Sequence, residues 1–100
     1  YPKTSAAAMY ALFPAATDKP TRAAGTWNEG RIVCKASVLQ HWLNGAKVLE
    51  VDTRSKAFAD AIAKSKFKNV SGFGKNAKGR LMLQDHSDPV WFRNLRIRSL

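Results

Sequence analysis

A chain of 100 residues, 45% of them apolar, has room for one domain and too much apolar content for disorder. Its 17 Lys and Arg against 7 Asp and Glu leave a net charge of +10, which suits polyanions, anionic surfaces or plain solubility alike. The basic residues are dispersed over 19–22, 56–68, 75–80 and 93–98 rather than gathered with aromatics on one stripe, so nucleic acid is not the expected partner.

Residues 1–25 are rich in Ala, Pro and Thr; 9–13 read as a short strand or edge segment that Pro14 interrupts, followed by a surface loop to Gly25, the alternative being a helix started by 6–8 that Pro14 would soon end. The chain opens on Tyr1 rather than Met, which we read as a processed or partial chain. No apolar run approaches the roughly 20 residues that span a bilayer. Residues 27–52 are the organising stretch. Two alternating apolar runs meet there at Asn44-Gly45, a pair that tolerates the positive φ of a type I′ turn. A β-meander follows: strands at 27–35, 38–43 and 46–51, with a reversal at Ala36-Ser37. The one cysteine, Cys34, has no intrachain partner and reads as a small buried hydrophobe.

The period changes at 55–66, where Ala57, Phe58, Ala61 and Ile62 make one helical stripe, with Ser55 as N-cap and Lys64, Lys66 and Lys68 suited to the C-terminal end. Three glycines within 69–79 mark a mobile connection. Strands at 80–86 and 90–98 are predicted to close the chain, giving one all-β domain over 1–100, an antiparallel β-sandwich with one short helix.

Side chains alternate across a strand, so parity sorts candidates by face. Ile32, Cys34, Leu39, Leu43, Leu81 and Leu83 fall on apolar faces, with His41 between the two leucines of its strand and Asp85 beside those of the last. Glu29, Arg31, Val33, Lys35, Val38, Gln40, Trp42, Met82, Gln84 and His86 fall opposite. Carboxylate, guanidinium, amides, imidazole and indole together are what a carbohydrate groove needs: an aromatic plate for the ring and planar polar groups for hydroxyls. Each residue alone also has a plain reading, with Glu29 and Arg31 a surface pair, Gln40 a solvated amide and His41 a satisfied core histidine. His86 ends a strand at a loop, where function tends to gather. No nucleotide loop, zinc motif or nucleophile elbow occurs. His86 near Asp85 and Asp88 is a candidate metal ligand.

The segments Trp27-Asn28-Glu29, Gln40-His41-Trp42-Leu43-Asn44-Gly45, Leu83-Gln84-Asp85-His86 and Pro89-Val90-Trp91-Phe92-Arg93-Asn94-Leu95-Arg96-Ile97 resemble the 3-keto-disaccharide hydrolase domain family. Ser65-Lys66-Phe67 is similar to its pattern too, and the likeness covers 9–98. Gly30 departs from it where an aromatic is common, as do Met82 and Ser87 where glycines are usual. The resemblance implies a concanavalin A-like jelly roll of which this chain is the C-terminal half, since such sandwiches run to ~200 residues. It implies hydrolysis of glycosides carrying a 3-keto group, in the periplasm or outside the cell. A ketone at C3 acidifies the C2 proton, so elimination followed by addition of water breaks the glycosidic bond, given a base and a positive group for the enolate oxygen.

On that resemblance His86 is expected as base or metal ligand, Glu29 as the alternative base, Arg31 as oxyanion partner, Gln40 and Gln84 as hydroxyl binders, and Trp42 as stacking plate. A divalent metal is admitted and no organic cofactor expected. The runner-up is a noncatalytic carbohydrate-binding module of the same superfamily. Six strands with apolar faces would leave a patch and open edges in water, so a partner is expected, a second copy or a complementary N-terminal half; the alternative is that residues 1–25 fold over the meander and close a reduced sandwich alone.

Overall fold

The Asn44-Gly45 turn forms as its sequence requires. In the computed structural model, which describes residues 1–100, both hold positive φ, 49° and 86°. Strands β2 (Val38–Leu43) and β3 (Ala46–Asp52) pair antiparallel on either side of it. A second reversal, with Ala36 at φ 52°, joins β2 to β1 (Gly30–Lys35), and the sheet order is β1-β2-β3. The architecture is all-β, an antiparallel three-stranded sheet with one short helix, as expected of the β-sandwich class.

A bulge then sets the faces. His41 opposes Leu49 but Trp42 opposes Lys47, so Val48 is the extra residue of β3. Val48 packs with Ala15 and Leu43, while Val51 packs with Leu12 and Phe58. These six are the only buried side chains, so the core is a thin layer on one face of the sheet. Cys34 and Ile32 are exposed instead of buried, because β1 is an edge strand that the covering segments do not reach.

Residues 9–13 are not an edge strand. Met9 and Phe13 exchange backbone hydrogen bonds across a closed turn with Ala11 at φ 64°, and this curl drops Leu12 into the core. Ala16 N–H then donates to Val48 carbonyl at 2.8 Å, covering part of the β3 edge.

Helix α1 (Lys56–Ala63) starts where predicted, with Ser55 Oγ accepting from Phe58 N–H at 3.1 Å. It stops short of Lys66 because Ser65 turns the chain: its hydroxyl donates to Ile62 carbonyl at 2.8 Å and accepts from Phe67 N–H at 3.0 Å. Phe67 then stacks on Phe73, ring centroids 4.2 Å apart. Gly74 (φ +73°) closes this corner, where a Cβ would lie 3.0 Å from Phe58 Cζ.

The closing strands expected at 80–98 are absent. No backbone hydrogen bond involves residues 76–100. Positive φ at Ser87 (72°) and Asn94 (55°) breaks the extended backbone, and Leu81 and Leu83 stand 67% and 45% exposed with no facing sheet. A strand without a ladder partner gains nothing for the entropy it loses. One tie is a cation–π contact of Arg93 over Trp27 at 4.1 Å.

Candidate functional site

The expected groove residues separate into two clusters. On the solvent face of the sheet, Arg31 and Trp42 are cross-strand partners and the guanidinium lies 4.6 Å from the indole centroid. Trp42 Nε1 donates to Gln40 Oε1 at 3.0 Å, and Gln40 Nε2 donates to Glu50 Oε1 at 2.8 Å. Lys47 Nζ completes the row, 3.6 Å from the same carboxylate oxygen. The row is a half-buried indole with its N–H engaged, flanked by fixed amide, carboxylate and cations, a surface able to take a sugar ring edge or face.

Glu29 lies just before β1. Its backbone exchanges bonds with Asn44, the N–H donating to Oδ1 and the carbonyl accepting from Asn44 N–H, both at 2.8 Å. Arg31 stacks on Trp42 and forms no ion pair with Glu29. His41 has the plain role, its Nδ1 2.8 Å from Ala7 carbonyl on the covered face.

Gln84 and His86 are elsewhere. With Thr4, Tyr10, Lys66 and Phe67 they line an open cleft of about 550 Å³, in which only Phe67 is half-buried and the other five side chains are exposed. Phe67 packs on the core cluster that includes Val51, and Val51 points away from neighbouring Glu50, so this cleft is built on the elements covering the other face of the sheet. Gln40 and His86 therefore do not share one concave surface, which corrects the single-groove expectation. The physical reason is the missing strand at 80–86: parity places side chains only within a paired ladder.

A second hollow, about 510 Å³ between α1 and 68–75, has lysines as its only ionisable groups and no acid or base suited to sugar chemistry.

The chain matches the 3-keto-alpha-glucoside-1,2-lyase-like domain family over residues 1–98. It belongs to that family. The match takes in both clusters. Among relatives, the chain is 32% identical to the 3-keto-disaccharide hydrolase of Bacteroides thetaiotaomicron, over 94% of this chain and 36% of that protein. Among solved structures it is similar to a protein of Parabacteroides distasonis named as a candidate glycosyl hydrolase, with a TM-score of 0.63 and 22% identity over 68% of this chain and 31% of that one. That likeness supports the fold. The chain thus spans about a third of the length of these relatives.

His86 shares its cleft with Lys66 and with no carboxylate or thiolate, and no three His, Cys, Asp or Glu converge within the chain. Three residues escaped sequence reasoning. Glu50 faces Gln40 only because Val48 bulges; a regular hairpin would set Leu49 there. Tyr10 and Lys66 were read only as part of an edge segment and as a helix end, and 56 positions apart no period pairs them.

Proposed function

We propose that this chain is part of a hydrolase that cleaves glycosidic bonds of 3-keto-glycosides. The observation that carries the reading is the family match over 98 of the 100 residues. The family's description names a 1,2-lyase, in keeping with elimination across C1 and C2 as the bond-breaking step. His86 is the proposed base in the cleft, since imidazole is the side chain suited to proton transfer near neutral pH, and Gln84 the hydroxyl binder beside it. Glu29 and Arg31 lie outside that cleft and take no part in the chemistry. Trp42 and Gln40 hold sugar on the sheet face.

The test is p-nitrophenyl 3-keto-α-glucoside beside its unoxidised parent, with release of nitrophenolate as readout. Cleavage of the keto compound alone is expected, and His86→Ala is expected to lower turnover 10²- to 10⁴-fold. Equal cleavage of both, or of neither, counts against the reading. The second reading, a noncatalytic carbohydrate-binding module, is favoured by the Arg31, Trp42, Gln40 and Glu50 row. It predicts binding that Trp42→Ala abolishes and no cleavage at all.

A further inference from the structure

Lys66 has no role in that reading. Its ammonium donates to Tyr10 Oη at 3.0 Å and lies 4.5 Å from the Tyr10 ring centroid and 5.4 Å from that of Phe67. The two rings are tilted at 55°, 6.5 Å apart, so an otherwise flexible side chain is held against two aromatic faces at the cleft. No carboxylate neutralises it: the ion pairs of the chain are Lys47 with Glu50 and Lys56 with Asp60. An ammonium has three N–H donors, and one is used here. The Tyr10 hydroxyl accepts from Lys66 and keeps its own O–H to donate. A cation and a phenol thus meet in one cleft with His86, with no acidic residue on its walls. Such a set has room for an oxygen that acquires negative charge.

We propose that Lys66, with Tyr10 bonded to it, holds the 3-keto oxygen of the substrate and stabilises the enolate; this rests on the reading of the chain as a 3-keto-glycoside hydrolase. Arg31, expected in that role, is stacked on Trp42 on the other face. In the step assigned to the cleft, His86 takes the C2 proton and the C2–H electron pair becomes a C2=C3 bond, leaving the charge on the C3 oxygen. That oxygen receives hydrogen bonds from Lys66 and Tyr10. Collapse of the enolate re-forms C3=O, makes C1=C2 and breaks the bond from C1 to the leaving oxygen, which takes the proton from the imidazolium. Water then adds across C1=C2, oxygen to C1 and hydrogen to C2.

Three variants of the full chain test it: Lys66→Met, Lys66→Arg and Tyr10→Phe, each checked for native circular dichroism. With p-nitrophenyl 3-keto-α-glucoside, Lys66→Met is expected to lower kcat about 10²- to 10³-fold, as for loss of one oxyanion donor, with KM changed far less because the charge exists only beyond the ground state. C2 deuterium exchange falls in parallel. Tyr10→Phe loses less, and Lys66→Arg recovers part of the rate. A Lys66→Met protein with native fold and kcat within threefold of the parent overturns the assignment. An independent arm uses ascorbate, a sugar-derived enolate, under nitrogen. Its titration is expected to shift the ring resonances of Tyr10 and His86 in the parent chain and not in Lys66→Met, and unshifted rings in the parent overturn the assignment whether or not turnover is seen. A parent chain that binds ascorbate through Lys66 but cleaves no 3-keto-glycoside overturns the hydrolase reading and, with it, the catalytic role of Lys66.

Discussion

Asn44 is the residue on which most of the local geometry converges. Besides its place in the turn, its amide donates to Pro20 carbonyl at 2.6 Å and Asn28 Oδ1 at 2.9 Å, while Oδ1 accepts from Glu29 N–H. The loop before β1 is thereby tied to the hairpin. Asn44→Ala should cost about 2–3 kcal/mol in urea unfolding, about 1 from the left-handed backbone and the rest from lost hydrogen bonds. Asn44→Gly should cost less, because it removes only the second part. Asp52 works at the other end of β3. The backbone N–H of Arg54, 2.9 Å from Oδ1, and the Ser37 hydroxyl hold its carboxyl below the ordinary value of 3.8, with the Arg54 charge adding to them and desolvation opposing. A pKa lowered on folding means that the folded chain binds the proton less readily than the unfolded one. The stabilisation is therefore whole above pH 3.8 and disappears as pH falls through the lowered folded value. Acid unfolding of Asp52→Asn should lack this component; coincident acid limbs for parent and variant would contradict it.

At the scale of elements, the sheet and helix are held by a few apolar contacts, and Gly74 shows how tightly one of them closes. A methyl group there would meet the Phe58 ring at 3.0–3.1 Å and Ile62 Cδ1 at 3.3 Å, on a backbone at positive φ. Gly74→Ala is expected to lower stability by about 2–4 kcal/mol, overpacking added to conformational strain. Thermal unfolding measures it, and an unchanged midpoint would mean that the 68–75 loop does not pack on α1 as described. The Val48 bulge matters equally to the candidate surface, because it puts two successive apolar residues over the core and returns Glu50 to the face of Gln40.

Across the whole molecule, the radius of gyration is 14.2 Å, above the ~13 Å of a typical compact chain of this length. Residues 76–100 carry large exposed apolar side chains, with Met82, Trp91 and Ile97 at 78%, 74% and 88%. Apolar area of that kind costs roughly 25 cal/mol per Å² left in water. The free edge of β1 adds unpaired backbone groups. We expect the isolated chain to self-associate. Sedimentation at low micromolar concentration should show species that dissociate on dilution and bind a hydrophobic dye, whereas one dye-free monomer would count against a partner.

What the sequence determined by itself is local. Asn44-Gly45, the alternation on either side of it, the Ser55 cap and the stripe through Phe58 and Ile62 each act over a few residues, through backbone preference and period, and the meander and helix follow from them. The five family-like segments were legible for the same reason, as residue types in order along the chain. Tertiary structure decided the rest. It placed the bulge at Val48, curled 9–13 into a turn, left 80–98 without a ladder, and so parted His86 from Trp42 and set it beside Tyr10 and Lys66. A strand exists only where another backbone supplies its hydrogen bonds, and a cleft only where distant segments meet; neither condition is written in the period of a single stretch.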